Sequence, residues 1–356
     1  MALDVVVIGA GLIGLSTADA LAARGVSVTV IEARGAPVRG TSFSNSGMIH
    51  PSQFRPWGAK PSAADRDAGL AVRDLAHASL APLRDAMTRL GLSEATARPI
   101  GCYQIFPDLD AARTAQSLLA RDGVDANVVI DPDRTFSRPA LYFPDDRSAD
   151  AKQYGEALAD DLAKRGVTFI YDAQDLRLRD GGDGAVAVAL AGHRFRADHV
   201  VAAAGAQTAE LLAPLGLGAR ITPVRGWAVD FALPKGRPLP PVPVMDSTSR
   251  SALTVFADRF RLSGTWGEDS AKPLLERWAA IMPDVVAQAG KPLSVWSGLR
   301  PVSDAGRPFI GPTPVKGLWI NAGHGHLGWT LCAGSGALIA DMILGGARDP
   351  RFAFAG

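Results

Sequence analysis

Two arginines stand beside glycines in segments rich in turn formers. Arg300 lies in Trp296-Ser297-Gly298-Leu299-Arg300-Pro301, and Arg225 in Pro223-Val224-Arg225-Gly226. A guanidinium presents a rigid fork of donors that matches a carboxylate in bidentate fashion, so each is a candidate anchor for an acidic group. The chain has six histidines, and His324 and His326 flank Gly325 in one glycine-rich segment. His50 follows Met48 at the end of a polar run, Thr41-Ser42-Phe43-Ser44-Asn45-Ser46-Gly47. Imidazoles are the ordinary proton carriers near neutral pH. The two cysteines, Cys102 and Cys332, form no CxxC and no Cys/His cluster. They are read as buried apolar fillers, and no metal site is expected.

The opening residues suggest what such groups would act beside. Gly9-Ala10-Gly11-Leu12-Ile13-Gly14 carries GxGxxG directly after the β-branched run Asp4-Val5-Val6-Val7-Ile8. Residues 12–24 then have helical spacing, and a second β-branched run over 26–31 ends at Glu32. This is the βαβ context that the glycine pattern needs. Gly9 permits a tight turn, Gly11 lets a pyrophosphate approach the backbone, and Gly14 lets helix and strand pack closely. The helix N-terminus offers N–H groups and the positive end of its dipole to phosphates. Glu32, with Ala33 and Arg34 after it, is placed to accept hydrogen bonds from an adenosine ribose, and its charge disfavours a 2′-phosphate. The unit predicts a bound dinucleotide and leaves NAD and FAD both open. Thr41, Ser42, Asn45 and Gly47 could line an extended cofactor or form an ordinary polar loop.

Other elements must position these groups. Helical spacing predicts one or two surface helices over 61–90 and further helices over 110–123, 149–166 and 274–282. Strands are predicted over 98–106, 167–171, 221–231 and 259–264. A small antiparallel meander is predicted over 176–195, turning at Gly181-Gly182-Asp183-Gly184. The run from His199 ends in Ala203-Ala204-Gly205, which reads as a buried strand whose backbone approaches something closely. The tail repeats the opening logic. A strand over 318–321 leads into Gly323-His324-Gly325-His326-Leu327-Gly328-Trp329-Thr330 and then an apolar helix, a second site for partial negative charge.

Length and composition bound the rest. At 356 residues a chain of two domains, or three, is expected. The 38 glycines and 25 prolines indicate many turns but not low complexity, and 47% apolar residues supply a core. A net charge of +1 without a basic run argues against a nucleic-acid partner. No apolar run reaches the ~18 residues of a membrane span, and residues 1–7 lack the basic start of a signal peptide. The expectation is a soluble protein, or at most a peripherally attached one, in a reducing and therefore cytoplasmic compartment.

Taken together these pieces carry a likeness. The chain resembles the D-amino acid dehydrogenase branch of the FAD-dependent amino-acid oxidase superfamily, whose relatives include glycine and sarcosine oxidases. The matching pieces are the unit from Gly9 to Glu32, the loop from Thr41 to Gly47, the end of the strand at Val201 to Gly205, the Pro223–Gly226 segment, the Trp296–Pro301 turn followed by Gly306, Pro308 and Gly311, and the segment from Asn321 to Trp329 running into Gly334-Ser335-Gly336. The last two are the most specific and decide FAD over NAD. The resemblance implies an α/β fold: a Rossmann-type FAD-binding domain from residues 1–58, 145–220 and 296–356, interleaved with a mixed antiparallel-sheet substrate domain from 59–144 and 221–295. Two departures stand out. The chain is short between Trp57 and Gly101, where that branch often carries helices near the substrate entrance. Asp175 also occupies a position near the adenine where a small apolar residue is expected.

The resemblance implies oxidative deamination: a neutral amine gives its Cα hydride to flavin N5, and the imino acid hydrolyses to a keto acid and ammonia. Arg300 is then the expected anchor of the substrate carboxylate, with Arg225 the weaker candidate. His324, His326, His50 and Met48 are expected near flavin or substrate. Tyr103 and Trp266 are candidate pocket walls, with simple core packing the alternative. Ala204, Gly205, Gly298, Gly325, Leu327, Gly328, Trp329 and Thr330 join the cofactor contacts, and backbone N–H groups from Gly325 to Gly328 would face charge developing on the reduced flavin. The electron acceptor is left open among a quinone, an electron carrier and O2. A glycine- or sarcosine-type oxidase and a flavin-binding protein without turnover are the competing readings.

Overall fold

The computed structural model describes residues 3–55, 63–92, 100–130, 136, 138–181, 185–191, 193–195, 197–234 and 239–354. Trp57 and most of the predicted Gly181–Gly184 turn lie outside them.

The first sheet grows from the opening β-branched run. Asp4–Ile8 pairs in parallel with Ser27–Ile31 on one side and His199–Ala202 on the other. Thr168–Ile170 extends one edge in parallel; Leu318–Ala322 and then antiparallel Phe309–Pro312 extend the other. Val5 and Val7 are fully buried, as expected of a central strand covered on both faces. The helix Leu12–Ala22 connects the first two strands, so the chain leaves Asp4–Ile8 where the sheet reverses its direction of growth. Ligands of open α/β sheets bind at such a switch point, outside the carboxyl ends of the strands.

The predicted helix over 61–90 is one helix, Ala63–Arg89. It is more than a surface element: Val72, Leu75, Leu83 and Met87 are buried in the same core as Leu15 and Leu331. Gly334 of the last helix, Gly328–Ile343, makes this close packing possible, because a Cβ there would meet the Leu75 carbonyl oxygen at 2.9 Å.

A second sheet of eight strands runs in the order Ser294–Ser303, Ile221–Ala232, Arg259–Gly264, Ser251–Val255, Val244–Asp246, Cys102–Ile105, Pro139–Phe143 and Asn127–Ile130. All its pairings are antiparallel except that of Val244–Asp246 with Cys102–Ile105. The helix Lys272–Ile281 covers one face, with Trp278 fully buried against Leu253, Phe260 and Leu262. Burying such side chains contributes about 1.5–3 kcal/mol each. The meander Arg177–Asp180, Val186–Leu190 and His193–Phe195 is antiparallel as predicted. One expectation is corrected here: the Trp296–Pro301 segment is not a turn. It is the middle of the ten-residue strand Ser294–Ser303, paired along its whole length with Ile221–Ala232.

Candidate active site

A cavity of about 690 Å³ runs from the carboxyl ends of the first sheet to one face of the eight-stranded sheet. At its first end the wall is mostly backbone. Gly9 has φ +110°, and a Cβ there would stand 2.6 Å from the Ala203 carbonyl oxygen, so only glycine allows the two strand ends to approach so closely. Gly11 lines the cavity, and the nearest atom to a Cβ there would be Ser42 Oγ at 3.3 Å. Gly14 does not line it. A Cβ on Gly14 would run into the Gly9 carbonyl oxygen, so its part is to seat the helix on the turn.

Glu32 closes this end. Its carboxylate accepts from Ala10 N (2.8 Å) and Arg34 N (2.9 Å). A carboxylate has about four acceptor sites, so two held by backbone leave capacity for a diol. Ala33, Arg34, Ala204 and Gly205 also border the cavity. Thr41, Ser42 and Asn45 line its middle. Thr41 Oγ1 donates to the Leu299 carbonyl (2.7 Å), and Ser42 Oγ accepts from Leu12 N (3.2 Å). The loop is tied to the second sheet by Arg261. Its guanidinium forms a bidentate pair with Asp230 (2.6 and 2.9 Å) and donates to the Asn45 carbonyl (2.8 Å).

The second end is built from side chains. Gly226 and Gly298 face each other across two paired strands. A Cβ on Gly226 would overlap the Arg300 guanidinium, and one on Gly298 would overlap the Trp296 ring. The glycine pair is thus a floor on which both side chains lie. Arg300 donates to the carbonyls of Thr265 (2.9 Å) and Gly264 (3.2 Å), and burial lowers its pKa to about 10, still charged at neutral pH. Met48, His50, His324 and His326 share this end.

All three histidines are kept neutral by burial, which lowers His50 to about 4 and His324 to about 3. Burial also pushes His326 well below its ordinary value, and the nearby His50 and Arg300 push it further. His326 Nε2 lies 3.3 Å from the Gln53 carbonyl oxygen, which can only accept, so Nε2 carries the proton and Nδ1 the lone pair. His50 N donates to Thr330 Oγ1 (3.1 Å). His50 Nδ1, His324 Nε2 and Trp329 Nε1 are buried with no partner among the described residues, in side chains that border the cavity.

Several predicted site residues lie elsewhere. Arg225 is one position out of register with Arg300, on the opposite face of its strand; it is exposed and donates to Ser297 Oγ (3.1 Å). Tyr103 likewise points away from the cavity, into a group with Phe136 and Tyr142, while its strand neighbours Cys102 and Gln104 take the other face. The Asp175 side chain turns to Ala191 N (2.9 Å), and Ala173, two positions earlier, lines the cavity in its place. Gly47, with φ +74°, is packed under Phe256. Thr330 is fully buried behind His50. Trp266 and Leu327 line a smaller neighbouring cavity of about 410 Å³, which shares His324, Gly325 and His326 with the large one. Gly325, Gly328, Trp329 and Gly298 border the large cavity. Sequence reasoning missed Met245, Ala252 and Arg250, which come from strands or turns without a local signal, and assigned no role to Trp296. Among the described residues no group of three His, Cys, Asp or Glu could hold a metal ion, and no helix is long and apolar enough to cross a membrane.

Residues 4–342 match the family described as DAO, FAD dependent oxidoreductase. The chain belongs to that family. The D-amino acid dehydrogenase of Vibrio atlanticus is 30% identical, with 98% of this chain and 97% of that protein covered. That of Methylobacterium radiotolerans is 32% identical, covering 99% and 97%. The alignment with the Vibrio protein spans 406 positions, more than the 356 residues present here, so that relative carries residues this chain lacks. Among solved structures, glycine oxidase from Geobacillus kaustophilus superposes with a TM-score of 0.81 at 24% identity, covering 99% of this chain and 98% of the other. Iminodiacetate oxidase from Chelativorans sp. BNC1 gives 0.81 at 22%, covering 98% of each. These two likenesses establish the fold. The cofactor is FAD. The chain's own geometry fits it: a glycine-walled strand end faces a helix N-terminus, an acid stands at the second strand's end, and unsatisfied buried polar atoms lie far along the same cavity.

Proposed function

We propose that this chain carries out FAD-dependent oxidative deamination of a small amino acid, with D-amino acids as the substrate class. The observation that carries this reading is Arg300, a charged, half-buried guanidinium in the cavity wall over the Gly226–Gly298 pair. The relatives named D-amino acid dehydrogenase, similar over nearly the whole chain, support the D series.

Bound FAD supplies the redox chemistry, accepting the Cα hydride. The chain supplies position and electrostatics. Arg300 holds the substrate carboxylate as a bidentate pair. Its charge and the burial of the site both favour a neutral amine over an ammonium, the form that can give up a hydride. His50, His324 and His326, all neutral, add polar atoms without adding charge. At the other end Gly9, Gly11 and the helix N-terminus would take the pyrophosphate, Glu32 the ribose, and Ala173 the adenine side. Thr41, Ser42 and Asn45 would follow the cofactor to its ring, and the backbone at Gly325 and Gly328 would face charge developing there. The domain division read from the sequence, 1–58, 145–220 and 296–356 against 59–144 and 221–295, is kept with two adjustments. The helix Ala63–Arg89 joins the first group by its packing, and the last boundary falls inside the strand Ser294–Ser303.

A second reading, a glycine- or sarcosine-type oxidase using O2, is favoured by compactness: the glycine oxidase fold covers this chain almost end to end. One experiment separates the readings. The purified holoenzyme is mixed without oxygen with a panel of D-amino acids, glycine and sarcosine, and flavin bleaching is followed. Bleaching by D-amino acids is expected. Bleaching only by glycine or sarcosine, with peroxide under air, would replace the first reading with the second; no bleaching at all would remove both. Dye or quinone reduction compared with peroxide formation assigns the acceptor. Two buried free thiols suit a cytoplasmic location, and coupling to a quinone would require contact with the inner face of a membrane.

A further inference from the structure

A second guanidinium borders the cavity at its substrate end. Arg250 closes the turn between Val244–Asp246 and Ser251–Val255. Its backbone has φ +51°, a region where glycine or asparagine is the unstrained choice and a long side chain costs about 1–2 kcal/mol.

The side chain is directed, not loose. Its guanidinium lies 5.0 Å above the ring of Trp266. Arg300 holds the carbonyls of Gly264 and Thr265, immediately before that tryptophan. Gly264 in turn pairs with Ser251, the residue after Arg250. Both arginines therefore converge on one short segment, and both charges lie close enough to His326 to disfavour its protonation.

Arg250 has no ion pair among the described residues. The nearby acid, Asp246, is taken: it accepts from Ser249 Oγ (2.6 Å) and pairs with Arg277 (2.5 Å). The two acidic residues that line the cavity, Glu32 and Glu210, are grouped with Ala33, Arg34 and Gln207 beside the ends of the first sheet's strands. Among the described residues the substrate end thus presents two guanidinium groups and no carboxylate. A substrate's one carboxylate on Arg300 would leave Arg250 without an acidic partner among the described residues.

We propose that Arg250 is a specificity-determining residue that takes the second carboxylate of an acidic amino acid, so that the preferred substrates are aspartate or glutamate of the D series. This rests on the deaminase reading above and narrows it. The planar face on Trp266 fixes the fork's orientation while its edge stays available for a carboxylate.

The test uses the holoenzyme and compares kcat/KM for D-aspartate, D-glutamate and D-alanine in the wild type, Arg250→Met and Arg250→Lys. The wild type is expected to favour an acidic substrate over D-alanine by about 30-fold or more. Arg250→Met should lower kcat/KM for the acidic substrates by a similar factor and leave D-alanine within about threefold. Arg250→Lys should keep part of the preference. Equal or better turnover of D-alanine by the wild type, or a uniform loss on all three substrates in Arg250→Met, would overturn the proposal. A binding measurement separates its failure from that of the reaction. Succinate and propionate are titrated against the flavin spectrum. If no amino acid bleaches the flavin, tighter binding of succinate that depends on Arg250 sustains the dicarboxylate site, and equal binding of the two acids refutes it.

Discussion

At one end of the cavity the wall is backbone: Gly9 against Ala203, Gly11 open to the interior, and a carboxylate held by two N–H groups. At the other end the wall is side chain: Arg300 and Trp296 laid across Gly226 and Gly298, with three neutral histidines beside them. Most of the first end is assembled within about thirty consecutive residues, and Ala173 and the Ala203–Gly205 strand end complete it from two later segments. The second takes its parts from segments near positions 50, 226, 250, 300 and 325. A backbone wall tolerates no added atoms but asks little of side-chain chemistry. A side-chain wall tolerates shape changes but depends on one charge.

Substitutions should separate these two behaviours. The largest effect is expected from Gly14→Val, whose new carbon would collide with the Gly9 carbonyl oxygen. Loss of bound flavin and of about 5 kcal/mol in denaturant unfolding is expected; a yellow, stable variant would show that the helix need not sit on the turn. Next, Arg300→Ala should cost about 10³-fold in kcat/KM, or ~4 kcal/mol, with folding intact. Arg225→Ala, one register position away, should stay within about twofold in the same assay. Equal losses in both would erase the distinction between the two faces of that strand pair.

A third effect concerns protons. His50 has a folded pKa of about 4 against an ordinary 6.5. The unfolded chain therefore takes up the proton first as pH falls. The stability of a neutral buried imidazole is complete above pH 6.5 and is lost progressively down to about pH 4, by up to about 3 kcal/mol. Unfolding measured at pH 7 and pH 4.5 should show a smaller acid loss in His50→Gln than in the wild type. An unchanged loss would mean that His50 is solvated. The smallest effect is expected from Asp175→Ala. Among the described residues its exposed carboxylate meets one peptide N–H, so flavin affinity and stability should shift by less than about 0.5 kcal/mol.

The same division decides what could be read from the chain. The unit from Gly9 to Glu32 was legible because every contact that defines it is local: a strand, a turn, a helix and a strand in unbroken order. The meander and the last helix were legible for the same reason. Gly298 and Pro301 are turn residues, so the sequence reads as a turn over Trp296–Pro301 although the segment lies in the strand Ser294–Ser303. In the fold, Gly298 makes room for Trp296, and Pro301 offers its carbonyl to Gly325 N (2.8 Å). Short strands such as Asn127–Ile130, Pro139–Phe143 and Val244–Asp246 carry too little alternation to announce themselves, and they exist through their neighbours. Asp175 and Tyr103 were near misses of register: along a strand one step changes the face, and in a loop two steps change the wall. Arg250 had no local signal at all, because only the folded sheet brings its turn to the cavity.

The turn from His324 to His326 borders the large cavity on one side and the smaller one on the other. It is a wall common to both, and the hydrogen bond from Gly325 N to the Pro301 carbonyl fastens it to the strand that carries Arg300. A substitution that displaced this turn would therefore reshape both chambers at once.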